Sequence, residues 1–286
     1  MVDLPRPASG PASRLSDVRR ATAHALLRRM RPAWVRSLLA AELEDVETFA
    51  PPHRVELGAC GLLAVVAPHP DDESIGCGGL VRLWVRAGGR VRVHVLTRGE
   101  RGDRELRAMA RPPANRVAAL VATRRAEAEA ALAILGAEGD WLDGHDSRLH
   151  AEAAALTERL ADRWRAEPPD AIAAPFPFDR HADHAAAARI TAAAGLALPG
   201  TTAVWAYEVW SPAPVNALLD IGAVADDKRR AIAAYASQVA TTDYVAAAEA
   251  LNRYRAIAGG LGNGLAEGFH LAPLARYRAL TARLAL

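Results

Sequence analysis

The chain has 286 residues, a formal net charge of +2 and a hydrophobic fraction of 51%. This length suits one large α/β domain with an appended element, or two small domains. The near-neutral charge does not indicate a nucleic-acid partner. The two cysteines, Cys60 and Cys77, provide neither a disulfide framework nor a paired CxxC metal motif, which favours a reducing compartment.

The sequence shows no pattern that predicts targeting to a membrane. Its first residues lack the apolar segment of a secretory signal, and the most apolar stretch, residues 57–68, is too short to span a bilayer. We therefore expect a cytoplasmic protein without membrane association. The sequence is compatible with a homo-oligomer.

Residues 1–55 are predicted to form an N-terminal extension, partly disordered and partly helical, ahead of a main domain at residues 56–286. Residues 1–15 are rich in Pro, Ser and Ala, whereas residues 16–49 show apolar residues at helical spacing. Arginine is concentrated in the first half of this helical segment. The segment could pack on the main domain or on a second subunit, or it could lie on anionic lipid. Burial of the apolar stripe favours packing.

Beyond residue 60, short apolar runs alternate with helical patterns. Strands are predicted at residues 61–67, 90–97, 140–142, 171–175 and 202–209. Helices are predicted at residues 77–87, 116–135, 151–165, 184–194, 226–237 and 244–258, with a long polar loop at 98–115. The chain after residue 209 is expected to be mostly helical. This alternation predicts an α/β fold with a mostly parallel sheet and helices on both faces.

Two polar clusters follow predicted strands. His-Pro-Asp-Asp-Glu occupies residues 69–73, and His-Ala-Asp-His occupies residues 181–184 at the start of a helix. Ligands of open α/β sheets bind beyond the carboxyl ends of the strands, so the two clusters can converge. A catalytic zinc ion takes three ligands from imidazoles and carboxylates and keeps a water. We therefore expect His69, Asp72 and His184 to bind Zn²⁺.

The remaining side chains of the clusters suit amide hydrolysis. Zinc lowers the pKa of its bound water toward about 7. The Asp71 carboxylate can accept the second proton of this water during attack. His181 is the candidate donor to the oxyanion and the candidate proton source for the leaving amine.

Each cluster also has a purely structural interpretation. His-Pro-Asp-Asp could form a turn, and Asp183 could cap the helix that follows it. The presence of both clusters after apolar strands favours the metal site. Gly-Cys-Gly-Gly at residues 76–79 suggests a dinucleotide loop, but it lacks the G-x-G-x-x-G spacing, and the adjacent carboxylates would repel a pyrophosphate. We expect these glycines to allow close packing of the helix.

The stretches VVAPHPDDESIGCGGL (65–80) and PFPFDRHADHAAAARI (175–190) resemble the PIG-L/LmbE family of zinc-dependent N-deacetylases. The resemblance implies a Rossmann-like domain that removes an N-acetyl group, usually from an N-acetylglucosamine-type sugar. It also implies the same roles for the two clusters. The zinc ligands are His69, Asp72 and His184; Asp71 is the general base; and His181 polarises the carbonyl or donates a proton.

The resemblance further suggests residues around the ligands. Asp146 corresponds loosely to a position that contacts substrate hydroxyls, and Glu73 and Asp183 are expected to orient ligands. The expected partner is a small N-acetylated sugar. Two alternatives stay open: an amidase acting on a thiol conjugate of an amino sugar, and a Rossmann-like sugar-binding protein without hydrolysis. The intact Asp71 favours an enzyme.

Overall fold

The computed structural model describes residues 52–283. The helix predicted at residues 16–49 and the disorder predicted at residues 1–15 lie outside the described residues. The boundary predicted at residue 55 stays a prediction; residues 53–55 form an edge strand of the sheet.

Within the described residues, eight strands form one sheet. The strands are β1 His53–Val55, β2 Leu62–Ala67, β3 Arg90–Thr97, β4 Glu138–Gly144, β5 Ala171–Pro175, β6 Ala203–Tyr207, β7 Ala217–Asp220 and β8 Ala266–Pro273. Their order is β1-β7-β8-β6-β5-β2-β3-β4. β8 is antiparallel to β6 and β7, and every other pairing is parallel. The predicted mostly parallel sheet is confirmed.

Helices cover both faces of this sheet. They are α1 Asp72–Arg86, α2 Arg104–Ala108, α3 Ala114–Leu135, α4 Leu149–Ala166, α5 Ala182–Ala194, α6 Ala225–Ala233, α7 Ala236–Val239, α8 Tyr244–Ala258 and α9 Leu274–Ala282. Helices α1, α3 and α6 contact one another, and α4 and α9 pack against α5. No helix in the described part of the chain is long and apolar enough to cross a membrane.

The central strands β2 and β5 are apolar and buried along their whole length. A parallel sheet covered on both faces requires such strands. Ala64 and Val66 of β2 and Ile172 of β5 belong to a core cluster that also includes Leu156 and Trp164 of α4. Each large side chain that is buried in this way stabilises the fold by about 1.5–3 kcal/mol.

The chain reverses its direction across the sheet between β2 and β5, which are neighbours. β2 leads through α1 to β3 on one side, and β5 leads through α5 to β6 on the other side. Two neighbouring strands whose connections diverge leave a crevice beyond their carboxyl ends, where ligands of such sheets bind. The two polar clusters follow these two strands.

The prediction of a mostly helical chain after residue 209 was wrong in part, because β7 and β8 lie there. The β8 sequence, AEGFHLAP, contains Ala, Gly and Pro and lacks both alternation and β-branched residues. Its strand conformation comes from pairing with β6 and β7 on both sides. The helix predicted at 226–237 is also two helices, α6 and α7.

Candidate metal and catalytic site

The loop after β2 places Asp71 in a strained backbone conformation. Asp71 has φ 123° and ψ −29°, a region that non-glycine residues rarely adopt. The Glu73 carboxylate accepts a hydrogen bond from the Asp71 backbone N–H at 3.2 Å, and the Asp71 carbonyl accepts from Ser74 and Ile75 at 3.1 and 3.0 Å. Such strain costs of order 1–3 kcal/mol and is typical of functional positions.

Asp72 Oδ2 lies between two imidazoles. It is 3.1 Å from His69 Nδ1 and 3.3 Å from His184 Nε2. One carboxylate oxygen and two imidazole nitrogens therefore converge from the two polar clusters, as the sequence predicted. This donor set suits zinc and similar divalent ions.

His184 provides the test of whether a metal ion fits this set. The side chain is fully buried, and its Nε2 and Nδ1 lie 3.3 Å from Asp72 Oδ2 and 3.5 Å from Asp179 Oδ2, although neither nitrogen has hydrogen-bond geometry to a described residue. Burial opposes protonation of His184, but the charge of Asp72 offsets burial and raises the pKa of His184 to about 9. The cluster therefore favours a positive charge, and a bound cation would supply one and would also satisfy Nε2.

The other nitrogen of His69 is held from outside the cluster. His69 Nε2 lies 3.1 Å from Asp183 Oδ2. The Asp183 carboxylate also accepts hydrogen bonds from the backbone N–H groups of Ser147 at 2.6 Å and Leu149 at 3.3 Å. A carboxylate on one nitrogen fixes the tautomer and leaves Nδ1 free to act as a ligand. The predicted orienting role for Asp183 agrees with this geometry.

His181 occupies the N-cap position of α5. Its Nδ1 accepts the backbone N–H of Asp183 at 3.3 Å, so the helix is capped by His181, and the Asp183 carboxylate is directed elsewhere. Burial and the neighbouring imidazoles His69 and His184 lower the pKa of His181. In a neutral ring whose Nδ1 accepts, Nε2 carries the proton, so His181 can donate a hydrogen bond.

The Asp71 carboxylate is paired with a buried guanidinium. Arg124 Nη2 lies 3.0 Å from Asp71 Oδ2, and the same group donates to the carbonyl of Pro70. Burial raises the pKa of Asp71 to about 7, although the charge of Arg124 opposes this shift. A carboxylate whose pKa lies near neutral pH is suited to general-base catalysis.

A cavity of about 350 Å³ opens onto these groups and is lined by His69, Asp71, Asp72, His181 and Asp146. This volume lies within the range of small-molecule sites. Asp146 Oδ1 is 3.6 Å from His69 Nε2, and Oδ2 accepts the backbone N–H of Arg101 at 3.2 Å. Asp146 is therefore positioned beside the predicted ligands, and its contact with substrate stays a prediction.

An aromatic wall borders the same cavity. Trp210 is 45% exposed and stacks on His181, with ring centroids 6.3 Å apart and planes at 22°. Tyr244 packs edge-on against Trp210 at 6.1 Å. The Trp210 backbone N–H donates to Asp179 at 2.9 Å, which fixes the loop beside the site. An exposed indole on the wall of a polar cavity offers a flat apolar surface to a ligand.

All six predicted site residues therefore lie together. A second possible set of metal ligands consists of three histidines, since ligand atoms of His69, His181 and His184 lie within 4.8 Å of one another. Sequence reasoning missed Arg124 and Trp210. The helical spacing could have indicated that Arg124 is buried, since it lies on the same side of the helix as the buried residues Ala128, Leu132 and Leu135.

Residues 64–195, which include both polar clusters, match the family described as PIG-L: GlcNAc-PI de-N-acetylase. A curated relative is 33% identical over 154 residues, which is 46% of this chain and 49% of that protein. It is the 1D-myo-inositol 2-acetamido-2-deoxy-alpha-D-glucopyranoside deacetylase of Mycobacterium sp. (strain KMS). The chain thus spans about half the length of the curated relatives that it matches.

Two solved structures have a similar fold. GalB, the 4-carboxy-2-hydroxymuconate hydratase of Pseudomonas putida KT2440, is 28% identical at a TM-score of 0.61, covering 74% of this chain and 96% of that one. The N,N'-diacetylchitobiose deacetylase of Pyrococcus horikoshii is 21% identical at a TM-score of 0.65, covering 87% of this chain and 96% of that one. At that identity, the second likeness establishes the fold only.

Proposed function

Because residues 64–195 match the PIG-L family model, we propose that the chain hydrolyses the N-acetyl group of an N-acetylglucosamine-type sugar. One observation carries the proposal: Asp72 Oδ2 lies within 3.3 Å of ring nitrogens of both His69 and His184, with Asp71 beside it on the same cavity. The curated relatives, named as deacetylases of an N-acetylglucosamine-type inositol conjugate, support the choice of substrate.

We assign His69, Asp72 and His184 as the residues that would hold the metal ion, with Zn²⁺ as the proposed metal. When bound, such an ion acts as a Lewis acid that makes water more acidic and polarises a carbonyl. Support comes from His184, whose buried Nε2 faces Asp72 Oδ2 at 3.3 Å without hydrogen-bond geometry to any described residue.

Asp71 is the proposed general base. It removes a proton from the attacking water, because its carboxylate lines the cavity and its pKa is raised to about 7. Arg124 and the strained backbone position this carboxylate, and Glu73 holds its N–H. Glu73 does not border the cavity and bonds to Ser74 and Tyr235, which supports Asp71 as the base.

His181 is the proposed donor. Its Nε2–H can donate a hydrogen bond to the oxygen of the tetrahedral intermediate, and the proton that Asp71 removes from water can pass to the amine as the C–N bond breaks. Asp146 is the proposed contact to sugar hydroxyls, since a carboxylate accepts their hydrogen bonds. Trp210 provides the surface on which the apolar face of the sugar ring would lie.

The test is release of acetate from a panel of N-acetylglucosaminides by the metal-loaded protein. Metal content measured alongside separates the alternatives. A sugar-binding protein would hold metal or sugar and release no acetate, whereas an amidase for thiol conjugates would cleave the conjugate amide and spare simple N-acetyl groups. Acetate release that is absent in Asp71→Asn supports the deacetylase.

A second candidate function is hydration of a carboxylated small molecule. GalB is named as a hydratase, and its 28% identity to this chain exceeds that of the chitobiose deacetylase. The arginines that line the cavity would suit such a substrate. Loss of ultraviolet absorbance of 4-carboxy-2-hydroxymuconate, without acetate release from any sugar, would favour this candidate over the deacetylase.

A further inference from the structure

One part of the cavity wall comes from residues 101–107 and carries Arg101, Arg104 and Arg107. All three side chains are exposed, and none forms a hydrogen bond or ion pair with a described residue. Arg104 and Arg107 are three residues apart in α2, so they project from the same side of this short helix. Three unpaired guanidinium groups therefore border the cavity that contains His69 and Asp71.

The backbone that carries these arginines is fixed against the site. Asp103 caps α2 by accepting the Leu106 N–H at 2.8 Å, and Leu106 is buried. The Arg101 N–H donates to Asp146 at 3.2 Å. Gly102 approaches Arg124 so closely that a Cβ there would lie 2.2 Å from its Nη1. The arginines are thus attached to an anchored segment beside the proposed base.

Four of the nearby carboxylates are already engaged. Asp71 pairs with Arg124, and Asp72 lies between the two imidazoles. Asp146 lies near His69 and accepts a backbone N–H, and Glu105 pairs with Arg116 at 3.4 Å. The whole chain has a net charge of only +2, so these arginines are a local excess of positive charge at the cavity.

Elsewhere in the described chain, arginines pair with carboxylates that neutralise their charge. Arg82, Arg86 and Arg230 all pair with the single carboxylate of Asp227. Arg101, Arg104 and Arg107 have no such partner among the described residues, and the guanidinium group binds carboxylate and phosphate in a two-pronged geometry. A concave site of one charge also concentrates small ligands of the opposite charge.

We propose that Arg101, Arg104 and Arg107 form an anion subsite, and that the substrate bears a carboxylate or phosphate at a distance from its amide. This inference rests on the proposed deacetylase function and narrows the substrate class to anionic sugar conjugates. The cavity of about 350 Å³ limits the ligand to a small molecule.

The experiment compares three N-acetylglucosaminides of matched length: the hydroxyethyl, carboxymethyl and phosphoethyl glycosides. We expect kcat/KM for one or both anionic glycosides to exceed that for the neutral glycoside by roughly tenfold or more, as charge-assisted hydrogen bonds allow. The carboxymethyl and phosphoethyl arms identify which anion is preferred. Added salt should reduce the difference, because screening weakens attraction between exposed charges.

Variants connect the preference to the subsite. The double variant Arg104→Gln/Arg107→Gln should lose the preference for anionic glycosides, so that the kcat/KM values for the three glycosides become similar. Arg104→Lys should keep part of the preference. Arg111→Gln is the matched control, since Arg111 lies four residues beyond Arg107 and is exposed but does not line the cavity, and it should behave as the wild type.

A binding measurement keeps this inference separate from the proposed function. Calorimetry with the corresponding glucosamine products needs no catalysis. Tighter binding of the anionic products, lost in the double variant, supports the subsite even if no glycoside is hydrolysed, an outcome that would refute the deacetylase alone. Equal binding and equal hydrolysis of neutral and anionic sugars would overturn the subsite and leave the deacetylase standing.

Discussion

Arg124 Nη2 lies 3.0 Å from Asp71 Oδ2, and Arg124 is only 2% exposed. The proposed general base is therefore held by a buried guanidinium that also donates to the carbonyl of Pro70. Arg124→Gln should lower kcat strongly with little change in metal content, because the base loses its positioning partner. Asp71→Asn combined with Arg124→Gln should be little worse than Asp71→Asn alone, since residues that act as a unit are not additive.

The control for this double-mutant cycle is Arg125→Gln, which removes the neighbouring exposed arginine and its ion pair with Glu129. It should leave kcat unchanged. Thermal unfolding of each variant separates lost positioning from lost folding. Fully additive losses in the Asp71 and Arg124 variants would contradict the positioning role.

The metal-ligand assignment predicts a graded loss of metal. His69→Ala and His184→Ala should each remove most of the bound metal, because each deletes a donor atom. Asp183→Asn should weaken metal affinity by about 10–100-fold, as expected when the partner that orients a ligand is altered. Elemental analysis and metal titration measure both effects. Full occupancy in the two histidine variants would refute the ligand set.

His181→Ala should keep its metal and lose activity. Removing one oxyanion donor costs about 10²–10³ in kcat. The ligand atoms of His181 also lie near those of His69 and His184, so metal content must be measured together with rate. If metal and activity fell in proportion, His181 would be a ligand, and His184 would need another role.

Trp210→Ala should raise KM for the sugar several-fold and change kcat less, because the indole is proposed to contact the ring and not the reacting atoms. Trp210→Phe should retain part of the affinity. Phe178→Ala serves as the matched control: Phe178 is 45% exposed, as Trp210 is, but it does not border the cavity. An unchanged KM in Trp210→Ala would remove the tryptophan from the substrate surface.

The sequence predicted those helices and strands whose hydrophobic pattern can be recognised from their own residues alone. The strands at 90–97 and 171–175 and the helix at 244–258 have the predicted bounds, because each is a regular apolar pattern next to turn residues. The two polar clusters were also predictable, because each directly follows a buried strand and parallel strands end at the same edge.

What the sequence could not predict depends on residues that are distant along the chain. The Arg124–Asp71 pair joins residues 53 positions apart, and β8 is a strand only through its neighbours β6 and β7. The positive φ of Asp71 has no residue-type signal, since glycine is the residue expected there. The three arginines of residues 101–107 fell within a predicted polar loop, and only the structure places them at the cavity.

The most direct test of the central claim compares the wild type with Asp71→Asn, both loaded with zinc, for acetate release from an N-acetylglucosaminide. The account predicts acetate release by the wild type and a loss of about 10²–10⁴-fold in the variant, with equal metal content, because an amide cannot accept the proton of water. Near-normal turnover by the metal-loaded variant would contradict the account, and so would a wild type that releases no acetate from any N-acetylated sugar.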